Sequence, residues 1–154
     1  ASAAAEGGEG ERRGADMQQL SRMSGTWNRT AVEGLDDFLI VRGCSSFVRT
    51  FAARAKETLK LEISQDSMQV TKKEVKVYVF GRPTNELDPF GNRVVTTITP
   101  LLDKLVITQE DEIKKVKITG ERWLQDENTM RTLLRIRKTD TGQEAEFSST
   151  FTRA

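Results

Sequence analysis

Leu59, Leu61 and Ile63 alternate with Lys60 and Glu62, the period of two that a half-buried strand requires. Alternation of this kind, or a short apolar run between turn residues, returns over 68–72, 75–80, 93–99, 104–109, 113–119, 129–138 and 144–153. Gln65-Asp66-Ser67, Phe90-Gly91-Asn92 and Thr139-Asp140-Thr141-Gly142 are turn signals that separate them. An earlier strand is expected over 25–30, with Trp27 as a core plug. The stretch 81–89 carries two prolines and reads as a short edge strand or a long loop.

Between the first strand and the rest the period changes. Residues 35–41 form a compact apolar run opened by Asp36 and Asp37, acids suited to a helix N-terminus, and stopped by Gly43. Ser45 and Ser46 can cap a second helix over 47–56, where Phe47, Phe51 and Ala55 recur at spacing four beside Val48 and Ala52. Arg49, Arg54 and Lys56 lie off that stripe, on a face that is solvated or meets an anionic membrane surface or acidic partner. Eight to ten short strands at this spacing build a sandwich or a closed barrel, and closure removes exposed edges. The expected class is mostly β, an antiparallel barrel with a helical hairpin, and barrels of this size enclose one small ligand.

The chain has 154 residues, enough for one domain with one core. Residues 1–16 are rich in Ala, Gly and Glu without an aromatic, and bury too little to offset their ordering entropy. With a short turn over 17–23 they give an expected flexible extension, 1–23, ahead of a barrel domain, 24–154. A net charge of +1 gives no reason to expect a nucleic-acid partner. Histidine is absent and Cys44 is the only cysteine, so the chain has no Ser-His or Cys-His pair and no internal disulfide. Acidic pairs such as Asp36-Asp37 lack metal-ligand spacing. No enzyme, no metal and no cofactor is expected.

Gly25-Thr26-Trp27, then Leu35-Asp36-Asp37-Phe38-Leu39, Gly43, Phe47 and the run Ala53-Arg54-Ala55-Lys56-Glu57-Thr58-Leu59 resemble the intracellular lipid-binding proteins, the cytosolic fatty-acid- and retinoid-binding family. The resemblance runs from Gly25 to about Ile63; beyond that only strand count and Trp123 match. It implies a ten-stranded up-and-down barrel with a helix-turn-helix lid over a cavity, a hydrophobic small molecule as partner, and a cytoplasmic monomer. The alternatives are an organelle interior and a ligand-free barrel acting as an accessory subunit of a protein complex. Transient contact of the lid with a membrane is a further implication.

The resemblance also points to residues. Thr152-Arg153 matches the family's Thr-Arg pair in the last strand, whose arginine grips a ligand carboxylate; the tyrosine that follows in the family is missing here. A guanidinium suits that task physically, and alternation puts Arg153 on the face of Phe147, Ser149 and Phe151. A second arginine is implied near Thr132 or Leu133. Arg131 and Arg135 share a face opposite Met130, Thr132, Leu134 and Ile136, so they reach a ligand only if the polar face lines the cavity. Tyr78, Phe80, Phe38, Phe47 and Phe51 are candidates for contact with an apolar ligand at the lid and upper barrel.

Overall fold

A sheet with one apolar face has to bury that face, and in this chain it does so by curling on itself. The computed structural model describes residues 14–154. In chain order the elements are α1 (Met17–Ser21), β1 (Gly25–Glu33), α2 (Leu35–Arg42), α3 (Ser46–Arg54), β2 (Thr58–Ile63), β3 (Ser67–Thr71), β4 (Val75–Val79), β5 (Thr84–Leu87), β6 (Arg93–Leu101), β7 (Lys104–Asp111), β8 (Val116–Asp126), β9 (Thr129–Lys138) and β10 (Glu144–Arg153). The ten strands form one antiparallel sheet in the order β4-β3-β2-β1-β10-β9-β8-β7-β6-β5. Only β4 and β5 therefore lack a backbone neighbour on one side. Side chains bridge the seam between them. The Tyr78 hydroxyl donates to Glu86 at 2.8 Å, and the Lys76 ammonium donates to the same carboxylate at 3.0 Å. Past the end of β4 the Gly81 amide donates to the Ile98 carbonyl on β6. The result is a nearly closed, mostly β barrel with a two-helix lid after the first strand.

The helices start and stop where their residue types dictate. Gly34 enters α2 at a φ of 80°, and Gly43 ends it at a φ of 93°, a left-handed conformation that glycine adopts without steric cost. Ser45 caps α3 by accepting from the Val48 amide at 3.3 Å. Phe38 of α2 meets Phe147 of β10 edge to face, centroids 4.6 Å apart, over a cluster of Val116, Ile118 and Ile136. On α3 the expected stripe buries little: Val48 and Ala52 are half-buried, whereas Phe47 and Phe51 are 73% and 69% exposed.

The opposite end of the barrel is a solid floor. Leu20, Met23, Trp27, Leu59, Leu61 and Met130 are fully buried there, with Phe80 and Phe151 almost so. Of the expected extension, residues 1–13 lie outside the described residues, while Ala15 to Met23 contribute to this floor. The Trp27 indole donates to the Met23 carbonyl at 2.8 Å. Arg153 lies over the Trp27 ring at 4.2 Å and donates to the carbonyls of Glu127, Ser24 and Arg22 at 2.9, 3.0 and 2.5 Å.

Of the two readings of 81–89, the short edge strand is the one found, as β5. One strand expectation changes. The strand expected over 113–119 runs instead from Val116 to Asp126. The Asp111 carboxylate accepts the Lys114 amide at 3.0 Å, and Lys115 turns left-handed at a φ of 58°, so this turn leaves Ile113 exposed and starts β8 late. Replacing Arg153 with Ala should lower the unfolding free energy by about 2 kcal/mol, the scale of lost charge-assisted bonds and ring contact. Urea denaturation measures it, and an unchanged midpoint would show that the floor does not need the guanidinium.

Candidate functional site

Register decides what faces the barrel axis. Arg122 on β8 stands opposite Thr132 on β9, and Thr132 stands opposite Ser149 on β10. Directly paired residues share a face, so the three form one polar row across three strands. Thr132 and Ser149 are buried, which makes that face the inner one. The row beneath is apolar, with Leu124, Met130 and Phe151, and the row above is Gly120, Leu134 and Phe147. The inward-facing Ile107, Arg122 and Leu134 are only half-buried, in contrast to the fully buried side chains of the floor.

Arg122 is the charged member of that row. Its Nε donates to the Thr132 hydroxyl at 3.1 Å, and its guanidinium lies 5.8 Å from the Phe151 ring centroid. The two terminal nitrogens make no hydrogen bond or ion pair with any described residue. Burial pulls its basicity below the ordinary arginine value, against the opposing pull of Glu57 and Tyr78. Glu57 is already matched. Burial would raise its carboxyl, but Lys72 at 2.7 Å and Arg29 at 3.1 Å hold it below the usual range. The Tyr78 phenol is pushed well above its usual range by burial and by the Glu86 carboxylate. Arg122 is thus the cation in the middle of the barrel that has no anionic partner among the described residues.

A groove of about 670 Å³ lies at the lid, lined among others by Cys44, Phe47, Phe51, Pro89, Phe90 and Lys114. Its rim is fixed by a buried ion cluster. Arg42, at the end of α2, donates to Asp88 in the β5–β6 turn and to Asp111 at the end of β7, each at 2.9 Å, with all three side chains no more than 4% exposed. The Asp88 carboxylate also accepts from the Phe90 and Asn92 amides and the Asn92 side chain, and Lys114 donates to the Asn92 oxygen. Burial raises the Cys44 thiol's pKa against the pull of Arg42, so this thiol is not activated.

The sequence candidates separate. Thr132 and Phe151 face inward beside Arg122, and Tyr78 faces inward across the seam. Phe38 is in the lid core. Phe47 and Phe51 line the groove, 5.6 Å apart. Three expectations are corrected. Arg131 and Arg135 lie on the outer wall, where Arg135 pairs with Glu146 at 3.2 Å, because the apolar face of β9 points inward. Phe80 belongs to the floor and not the upper barrel. The second inward arginine is Arg122 on β8 and does not come from 129–138. Arg153 spends its donors on main-chain carbonyls at the floor.

No protein-family model and no curated protein sequence matches the chain. Solved structures do. A fatty-acid-binding protein of Schistosoma mansoni in complex with arachidonic acid superposes with a TM-score of 0.73 at 20% identity, covering 88% of this chain and 98% of that one. Fatty-acid-binding protein 1 of Echinococcus granulosus gives 0.72 at 17%, with 86% and 98% covered, and human cRBP IV gives 0.68 at 18%, with the same coverage. The fold is that of the intracellular lipid-binding proteins. In this lipid-binding-protein fold the lid and the polar row around Arg122 sit at different heights of the same barrel. No helix among the described residues is long and apolar enough to cross a membrane.

Burial would raise the carboxyls of Asp88 and Asp111. In Asp88 the Asn92 side chain, the Asn92 and Phe90 amides and Arg42 outweigh burial; in Asp111 the Lys114 amide and Arg42 do, and both acids stay below the ordinary range. A carboxyl depressed by folding adds stability above its unfolded value, about 3.9, and loses that stability as pH falls through the folded value. The unfolding free energy should therefore drop steeply below about pH 4. Asp88→Asn should flatten that slope and cost about 3 kcal/mol at pH 7 by leaving Arg42 half-matched. Urea midpoints from pH 7 to pH 2 measure both effects, and parallel curves for the two proteins would contradict the assignment.

Proposed function

We propose that the barrel binds and carries a hydrophobic small molecule with an anionic head, held without covalent chemistry. The head lies against Arg122, Thr132 and Ser149, and the apolar body rises past Leu134 toward Phe147 and Phe38. The observation that carries this reading is the inward Arg122, whose two terminal nitrogens have no partner, and no paired anion, among the described residues. Desolvated cations of this kind are costly to keep, and a carboxylate taking both nitrogens in parallel offsets that cost. The rest of the molecule would lie against the half-buried inner side chains Ile107 and Leu134. The likeness to proteins described as binding fatty acids supports the same class. Entry is through the groove beside Phe47, Phe51 and Phe90, whose exposed rings would also serve transient contact with a membrane.

The reading is one of binding without catalysis. The chain has no histidine, and Arg122, Thr132 and Ser149 contain no nucleophile–base pair. Among the described residues no three metal-ligating side chains gather. A cytoplasmic setting suits a single free thiol.

Titration of lipid-stripped protein with a fluorescent long-chain fatty acid and its methyl ester tests the proposal. The acid should bind more tightly than the ester, and Arg122→Gln should weaken the acid by at least about tenfold while leaving the ester unchanged. Thr132→Val should lower acid affinity by a smaller factor. Failure to bind either form, or an Arg122→Gln protein with full affinity for the acid, would overturn it.

A further inference from the structure

The two strands beside the seam have their polarity inverted. On β4 the inward positions are Lys76 and Tyr78, both held by Glu86 of β5, while Val75 and Val77 point outward at 57% and 53% exposure. On β5 Glu86 faces in and Leu87 faces out, also 57% exposed. Val95 on β6 continues the outward stripe. The outer faces of the other strands present residues such as Lys60 and Glu62 on β2, Gln69 on β3, Lys117 on β8 and Arg135 on β9. A one-residue shift of β4 would bury its valines, so this register exposes apolar surface that the chain could have hidden. The exposed stripe coincides with the two edges of the sheet, where backbone donors and acceptors have no strand partner among the described residues. Such an edge is a template for an added strand.

Charge narrows the occupant. Lys73 lies at the lid end of the seam, Arg82 just past the floor end of β4, and Arg93 at the start of β6; all three are exposed and form no ion pair among the described residues. We propose that the seam is a docking surface for an extended segment of a partner protein, one with alternating apolar side chains and acidic residues at both ends. The segment pairs with the β4 edge, lays its apolar side chains on Val75, Val77 and Leu87, and meets the three cations with its acidic ends. A lipid surface could match the valines and the charges, but it leaves the edge amides and carbonyls without partners, which is costly in hydrocarbon. The edge groups therefore favour a polypeptide. This site is independent of the one inside the barrel.

A fluorescein-labelled peptide of alternating valine and threonine, about six residues between aspartate ends, is the probe. Fluorescence polarisation should show saturable binding to the full chain, with slowed hydrogen exchange at the β4 amides. Val77→Lys changes an outward, half-exposed side chain outside both core clusters and should weaken binding at least tenfold. Leu102→Lys, on an exposed floor loop, should leave it unchanged, and a peptide with lysine ends should bind more weakly. No binding at millimolar peptide, full binding by Val77→Lys, or protection confined to the lid would overturn the proposal. So would Val77-dependent binding to phosphatidylserine vesicles without peptide binding.

Discussion

Two carboxylates from different turns share one guanidinium, and the geometry of the barrel mouth depends on that arrangement. Arg42 is the last residue of α2, so its bonds to Asp88 and Asp111 fix the lid to the β5–β6 turn and to the end of β7 simultaneously. Removing three charges from water is expensive, and the cluster is tolerable only because Asp88 also collects amide donors from its own turn. The same bonds that neutralise Arg42 therefore shape the loop presenting Phe90. By contrast α3 has no buried residue and is held by its cap, by Arg49 and by half-buried Val48 and Ala52. One half of the lid is clamped and the other is lightly held. That asymmetry follows from charge placement and not from helix propensity.

Much of this fold was legible because its punctuation is local. The acids at 36 and 37, the glycine at 43, a serine cap at 45 and the alternation of 59–63 each act within a few residues, and the lid and its neighbouring strand follow from them. Alternation in β10 likewise put Phe147, Ser149, Phe151 and Arg153 on one face. The interior arginine was less legible. The strand expected over 113–119 stops short of Arg122, and the family resemblance implies the second arginine near Thr132 or Leu133 on β9. The signal was one of parity: Val116, Ile118, Gly120, Arg122 and Leu124 share a face, and Arg122 is the one charge among them. In β9 the opposite holds, since Met130, Thr132, Leu134 and Ile136 claim the inside and leave Arg131 and Arg135 outside.

The seam was illegible for a deeper reason. Val75-Lys76-Val77-Tyr78-Val79 alternates cleanly, and hydrophobicity alone would send the valines inward, whereas Tyr78 as a ligand contact requires the opposite face. What reverses them is pairing across a gap with no backbone bonds, where a carboxylate on β5 recruits Lys76 and Tyr78. A long-range polar demand overrode a local apolar pattern. Barrel interior and seam thus share a theme, because in both places charged groups face the axis. Glu57 and Glu86 have cations of their own, and Arg122 does not.

The floor has a practical corollary. The Ala154 amide donates to the Thr26 carbonyl, the Arg153 guanidinium reaches Arg22, and the Leu102 amide donates to the Gly14 carbonyl, so the first and last described residues meet at one pole. The lid occupies the other. The described chain therefore both begins, at Gly14, and finishes, at Ala154, on the base, with the doorway turned away from both points. A tether attached after Ala154 would keep the opening clear.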